Sequence, residues 1–226
     1  EDAFKYFDGM WSVAIYDKEK KQVILSRDYV GQKPLYYTKN NSYYLFSSQL
    51  NGITNDVNTS KIISKKNLKK YFAYSFVPAP KTIFDNIFQV EPGENIIMEC
   101  EKLNVVKKKY WDISKGPDYN LFIDKIDEKN FINEFHDIIK QHTISDKDPV
   151  ISLSSGIDSN ILYKYICKIN EKTQSFTLGF QNKTYDESKY LDKESNNINK
   201  KIYFADDNLI KSNFNELSKL INDPIG

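Results

Sequence analysis

Cysteine is scarce in this chain. Cys100 and Cys167, the only two in 226 residues, are widely separated and make no metal-ligand spacing. Reduced thiols in a cytoplasmic protein are the reading they support. Surplus charge is missing as well: Lys and Arg number 32 against 31 Asp and Glu. That removes the electrostatic case for a nucleic-acid partner or an acidic membrane surface, and clusters such as Lys65-Lys66 and Lys107–Lys109 read as solvated faces. No apolar run approaches the roughly 18 residues of a membrane span. No signal peptide is visible, and neither an internal repeat nor a low-complexity stretch is found. Disorder is excluded by what is abundant: 40% hydrophobic residues, with 16 Tyr, 14 Phe and 2 Trp. The chain opens on Glu1 and stops at Pro224-Ile225-Gly226 without a closing element, so it is expected to be a piece truncated at both ends.

The first half reads as short strands. Trp11–Tyr16 alternates with a two-residue period, and Val23–Ser26, Leu35–Thr38 and Tyr43–Ser47 follow at spacings that imply antiparallel pairing. Lys39–Ser42 is the hairpin turn between the last two. A short helix is expected over Asn67–Tyr74. Pro78-Ala79-Pro80 blocks regular structure, Glu91–Glu94 is a turn, and strands follow at Asn95–Glu99 and Val105–Tyr110. The character changes near Ile113–Lys129, where Gly116-Pro117-Asp118 and scattered charges read as a linker. Phe131, Phe135, Ile138 and Ile139 then mark a helix. After it, strands at Val150–Leu153, Ser175–Phe180 and Lys201–Phe204 alternate with helices at Ser159–Glu171, Asp186–Asn197 and Asn208–Ile221. That alternation implies a parallel sheet carrying helices. The fold class is α+β followed by α/β.

Pro149–Asn160 is the stretch around which the second half is organised. A buried strand breaks into Ser154-Ser155-Gly156, and a helix follows with Ile161, Leu162, Tyr165, Ile166 and Ile169 as one apolar stripe. A strand that turns through small hydroxyl and glycine residues into a helix can hold an anion, because backbone N–H groups and the positive end of the helix dipole meet there. Gly156 allows close approach of a ligand, and Ser154 and Ser159 add hydroxyl donors. Asp158 would repel a phosphate unless it holds a Mg²⁺ that bridges to it. The same residues are also ordinary turn and N-cap residues. The Gly-Lys-Ser/Thr ending of a Walker loop is absent. His136 and His142, six residues apart on one expected helix, do not share a face, so no metal pair is expected. Arg27, Asp28 and Lys33 read as a structural ion-pair set.

The stretch Ser154–Ser159 resembles the pyrophosphate loop of the N-type ATP pyrophosphatases, Ser-Gly-Gly-x-Asp-Ser, with Ser155 standing at a glycine of the pattern. Phe7–Asp17, Arg27–Tyr37, Thr82-Ile83-Phe84 and Pro92-Gly93 resemble the later part of a class II glutamine amidotransferase domain. Ser175–Phe180, Tyr185–Ser188 and Asn222–Ile225 resemble segments of the domain that follows it in glutamine-hydrolysing asparagine synthetases. The ordered set is similar to that family over essentially the whole chain. The resemblance implies three parts: residues 1–115 as the C-terminal part of a glutaminase domain of the Ntn type, 116–129 as a linker, and 130–226 as the N-terminal part of a pyrophosphate-loop (PP-loop) synthetase domain. It implies a cytoplasmic ligase that hydrolyses glutamine, activates aspartate with ATP and Mg²⁺ as an acyl-adenylate, and amidates it with the ammonia, releasing AMP and pyrophosphate.

Carried onto this sequence, the ATP-binding residues implied are Leu153, Ser154, Ser155, Gly156, Asp158, Ser159 and Leu178, with Asp158 as the metal ligand. Leu153 and Leu178 would lie at strand ends against adenosine; by residue type alone both are core positions. No nucleic acid and no membrane is implied, and a homodimer is allowed. The family's N-terminal cysteine nucleophile has no counterpart at Glu1, and Ser48-Gln49 and Asn222-Asp223 stand for Ser-Glu and Asp-Glu. The 226 residues alone are therefore expected to lack glutaminase activity. A relative that amidates another carboxylate, in surface-sugar or secondary metabolism, and a non-catalytic relative remain alternatives.

Overall fold

A strand with apolar residues on both faces needs a neighbour on each side. In the computed structural model, which describes residues 2–115, 127–180, 184, 186–191, 200–205 and 207–220, the two central strands of the first half meet that need. β1 (Ser12–Asp17), β2 (Gln22–Arg27), β6 (Glu94–Glu99) and β7 (Asn104–Lys109) form an antiparallel sheet in the order β1-β2-β6-β7. β3 (Tyr36–Lys39), β4 (Tyr44–Ser47) and β5 (Ile87–Gln89) form a second, ordered β4-β3-β5. Leu25, Ile96 and Met98 pack with Leu35, Tyr37 and Val90 to make a core shared by both sheets. One residue along each strand, Ile24 and Ile97 point to the opposite face and pack with Phe4 and Trp11. Tyr36 likewise packs with Leu50, Ile53 and Ile87 on the outer face of the smaller sheet, where α1 (Leu50–Thr54) lies. The two-residue period thus sorts neighbouring residues into separate cores.

The strands expected from the sequence are all present, within about two residues at each end. α1 and β5 were not anticipated. Both are too short to carry a period, and β5 is held by its register to β3, Tyr36 opposite Gln89 and Thr38 opposite Ile87. The expected helix over Asn67–Tyr74 starts earlier, as α2 (Lys65–Tyr74), because the Ser64 side chain accepts from the Asn67 amide and caps it.

The expected ion-pair set of Arg27, Asp28 and Lys33 is not one. The buried Arg27 guanidinium donates to three backbone carbonyls, those of Lys33 (2.8 Å), Val90 (2.7 Å) and Gly31 (2.7 Å). The Asp28 carboxylate accepts from the amides of Gln32 (2.8 Å) and Lys33 (2.9 Å). Each charged group is taken up by loop backbone that has no sheet partner, a demand that residue type does not reveal. Gly31 and Gly93 close the same junction at φ of +69° and +66°. A Cβ on Gly31 would come within 2.9 Å of Pro92 Cγ, and one on Gly93 within 2.5 Å of the Trp111 carbonyl oxygen, so glycine is required twice over. Segments far apart in the chain, Arg27–Lys33 and Val90–Gly93, are in this way joined.

The chain divides into two compact units, the first Glu1–Pro117 with Lys219–Gly226 and the second Asp118–Ser218. Most of the expected linker, residues 116–126, lies outside the described residues. Its end belongs to α3 (Glu128–His142), whose N-cap Asp127 accepts from the amides of Lys129 and Asn130. In the second unit β8 (Val150–Ser152), β9 (Gln174–Phe180) and β10 (Lys200–Ala205) form a parallel sheet ordered β10-β9-β8. α4 (Ile157–Ile169) joins β8 to β9, and α5 (Asp207–Leu220) follows β10. β8 is not the buried strand expected. Val150 and Ser152 are exposed, because among the described residues only the α4 side of this sheet is covered. The helix expected over Asp186–Asn197 is a short 3-10 turn, Ser188–Tyr190, as far as Leu191; residues 192–199 lie outside the described residues, as do Tyr185 and Asn222-Asp223. Among the described residues no helix is long and apolar enough to cross a membrane.

Replacing Arg27 by Lys keeps the charge but leaves at least two of the three carbonyls without a donor. The expected loss is about 2 kcal/mol, at about 1 kcal/mol for each hydrogen bond. It should show as a lower urea midpoint at unchanged m-value; an unchanged midpoint would mean that the carbonyls find other donors.

Candidate functional site

Parallel strands place their carboxyl ends on one edge, and the turn that leaves that edge enters a helix by its N-terminus. Here β8 ends at Ser152, Leu153 follows, and α4 begins at Ile157 with Gly156 as its N-cap. The helix therefore starts two residues before the expected Ser159. Asp158 and Ser159 lie in its first turn, not ahead of it.

The loop is folded by its own hydroxyls. The Ser154 amide donates to Ser159 Oγ (3.2 Å), and the Ser154 and Ser159 hydroxyl oxygens lie 2.9 Å apart. The Gly156 amide donates to Ser154 Oγ (3.2 Å). Asn160 Nδ2 donates to the carbonyls of Ser154 (3.0 Å) and Gly156 (2.8 Å). Asn160 is a loop-forming residue that the sequence reading passed over; its place directly after Ser159 was the available signal. Gly156 sits at φ −69°, ψ 149°, backbone open to any residue. A Cβ there would have only Ser154 Oγ (3.2 Å) within 4 Å, so the missing side chain leaves open space above the turn. Ser155 is not among the non-glycine residues at positive φ, which among the described residues are Lys21, Ser75 and Leu103. Serine at this position carries no left-handed strain.

Gly156 offers no side chain to cap α4. Among the described residues the amides of Ile157, Asp158 and Ser159 have no side-chain partner, so the positive end of the helix is open. The exposed Asp158 carboxylate likewise makes no hydrogen bond or ion pair among the described residues. Of the plain reading, the turn role is observed for Ser154 and Ser159, while no side chain of the turn caps the helix start. Asp158 lines the mouth of an apolar groove between α3 and α4, with Phe131, Phe135, Ile161, Leu162 and Tyr165. The apolar stripe expected on α4 faces this groove in part, while Tyr163 and Cys167, one turn apart, face the sheet. Burial raises the pKa of the Tyr163 hydroxyl.

Leu153 and Leu178 part company. Leu153, 2% exposed, packs with Tyr163 and Leu191, and its amide donates to the Phe176 carbonyl (2.8 Å). Its side chain is core. Leu178 lies within β9, opposite Tyr203 of β10, and is 55% exposed on the uncovered face. The loop and Leu178 belong to the same sheet edge, but the two leucines do not face one another. His136 and His142 are both on α3, and no cluster of three metal-ligating side chains occurs among the described residues.

A second group that the sequence reading left without a role is Glu187. Its Oε2 accepts from the Ser155 amide (3.3 Å) and hydroxyl (3.1 Å). Asp186 holds the adjacent turn, accepting from the Phe180 amide (3.3 Å) and from the Ser188 amide (3.1 Å) and hydroxyl (2.6 Å). The Ser188 hydroxyl is the main reason the Asp186 pKa is lowered.

With this geometry in place, similarity to known proteins divides the chain in the same two parts. Residues 1–111 match the glutamine amidotransferase domain family, and residues 131–226 match the asparagine synthase family. A putative glutamine-hydrolysing asparagine synthetase 2 of Methanocaldococcus jannaschii is 35% identical over 198 residues, which is 84% of this chain and 37% of that protein. The glutamine-hydrolysing asparagine synthetases 1 and 3 of Bacillus subtilis are 28% and 26% identical, over 83% and 72% of this chain and 29% and 26% of theirs. The chain spans between 26% and 37% of the length of these relatives.

Ser159→Ala should cost about 1 kcal/mol of stability, the net value of a hydrogen bond whose partner, the Ser154 amide, is left unmatched. Chemical denaturation of the two proteins side by side measures it; a cost near zero would show that water replaces the hydroxyl.

Proposed function

Since the chain belongs to the family in which a glutamine amidotransferase domain is followed by an asparagine synthase domain, we propose that Ser154–Ser159 is the pyrophosphate loop of an ATP-dependent, glutamine-hydrolysing asparagine synthetase. On this reading residues 1–115 are the C-terminal part of a glutaminase domain of the Ntn type and residues 130–226 the N-terminal part of a synthetase domain of the PP-loop type, with the linker 116–129 between them. One observation carries the assignment of the site. At the carboxyl edge of a parallel sheet, α4 starts without a side-chain cap and sets amides next to the Asp158 carboxylate, all of them without a partner among the described residues. Amides without a cap suit phosphate oxygens, and a lone carboxylate among donors suits a hard cation.

Each residue then has a role. The amides of Ile157–Ser159 receive the phosphate oxygens, and Gly156 keeps the approach open. Ser154, Ser159 and Asn160 hold the loop in shape. Leu153 positions the loop from the core, and Leu178 offers an apolar surface on the same sheet for the nucleoside. The aspartate side-chain carboxylate attacks the α-phosphorus, the bond to the β-phosphate oxygen breaks, and pyrophosphate leaves. Ammonia then attacks the acyl carbon, AMP departs with the carbon–oxygen bond, and the nitrogen loses a proton. A carboxylate oxygen is a poor leaving group, and adenylation replaces it with a good one. Asp158 fits a Mg²⁺ because its carboxylate is exposed and, among the described residues, makes no hydrogen bond or ion pair. When bound, the ion would supply positive charge against the departing pyrophosphate.

Asp158→Asn keeps the shape of the first turn and removes the charge. In the complete protein it should leave the thermal midpoint within about 2 °C of wild type, since the exposed carboxylate has only the helix dipole to lose. It should abolish pyrophosphate release from aspartate and Mg-ATP. Ammonium chloride should not restore release, because the defect lies in activation and not in nitrogen supply. Release at the wild-type rate would mean that the site is wrongly placed.

A further inference from the structure

We propose that Glu187 is a positioning residue that occupies, as an intramolecular anion, donors in the loop that a phosphate group of ATP takes when it binds. This rests on the pyrophosphate-loop reading and adds to it a competitor built into the fold.

The loop amides are not equivalent. Those of Ser154 and Gly156 are bonded to hydroxyls of the loop itself, Ser159 Oγ and Ser154 Oγ. Among Ser154, Ser155 and Gly156, only Ser155 sends its amide out of the loop, to Glu187 Oε2, and its hydroxyl donates to the same oxygen. A carboxylate oxygen accepting an amide and a hydroxyl is the same kind of partner as a phosphate oxygen. Glu187 is also held in place. Asp186 ties the segment to the end of β9 through the Phe180 amide and to the Ser188–Tyr190 turn through the Ser188 amide and hydroxyl. A phosphate seated on the Ile157–Ser159 amides meets a negative charge at the adjacent Ser155, and it gains the Ser155 amide and hydroxyl as further donors only as Glu187 gives up that contact. Ser155 acquires a purpose in the same way. A glycine there would offer Glu187 one donor, whereas serine offers two.

The consequence is a direction opposite to the ordinary one for a residue touching a binding loop: removing Glu187's charge tightens phosphate binding. By calorimetric titration of the complete protein, Glu187→Gln and Glu187→Ala should each lower the Kd for Mg-ATP and for inorganic pyrophosphate by about threefold to fivefold, the scale of an interaction between exposed charges. Adenosine, which carries no phosphate, should bind each variant as it binds wild type. Ser155→Gly should tighten pyrophosphate binding by less than Glu187→Gln. The double variant should gain less than the product of the two single effects, since both act on one contact. If both Glu187 variants bind ATP and pyrophosphate no more tightly than wild type, or if adenosine binding rises in step, the competing-anion role is wrong while the pyrophosphate-loop reading stands. If wild-type protein binds neither ATP nor pyrophosphate, the loop reading fails and this inference with it.

Discussion

Every backbone amide in the turn between β8 and α4 needs an acceptor, and the second unit depends on how that demand is met. The sheet supplies its last partner at Leu153, whose amide donates to the Phe176 carbonyl, and the helix has not yet begun to supply any. Short hydroxyl side chains fill part of the gap: Ser159 serves Ser154, and Ser154 serves Gly156. Asn160 secures the carbonyls from the other side. What the turn leaves over is the open start of α4. A loop hydrogen-bonded within its first half and open in its second holds donors in place for a ligand, which lowers the entropic cost of binding an anion.

The first unit meets the same demand with different chemistry. Arg27 and Asp28 are buried charges, and each is neutralised by dipoles of the backbone more than by an opposite charge. The guanidinium's fork reaches carbonyls on two segments, and the carboxylate gathers two successive amides. Burial lowers the Arg27 pKa, yet a guanidinium remains charged far above neutral pH. Thr82 acts in a related way on a smaller scale, its hydroxyl donating to the Ile87 carbonyl (2.8 Å) while it accepts from the Phe84 amide (3.1 Å). These residues lie within the stretches by which the first half resembles glutamine amidotransferase domains. Their common task is to hold loops between the two antiparallel sheets.

In the second unit a single atom, Glu187 Oε2, links the loop to the segment after β9. The link explains why serine is accommodated at Ser155, where the backbone imposes no positive φ and the hydroxyl finds a partner. It also places a negative charge beside the donors to which the proposed function assigns a phosphate. Asp158 differs: it stands within the first turn of α4 with nothing attached to it among the described residues. Two carboxylates near one loop therefore face different demands, one tied to donors and one free for a cation.

The sequence alone determined the order of the longer elements, though not the short α1 and β5 or the turn after β9, because the period of apolar residues is a local property: two in Trp11–Tyr16, a helical repeat after Asn160. It also marked Ser154–Ser159, since a run of small hydroxyl residues, glycine and aspartate between a strand and a helix is visible in a single window. Tertiary structure alone decided which charge meets which group. Arg27 with the carbonyl of Val90, and Ser155 with Glu187, are separated by dozens of residues, and no local period connects them. The fates of Leu153 and Leu178 were also beyond the sequence. One leucine directly follows a strand and the other lies within one, but the first side chain meets Tyr163 of α4 and the second the uncovered face of the sheet. Which face of a strand is covered is set by the elements packed against it, and a two-residue period separates the faces without saying which will be buried.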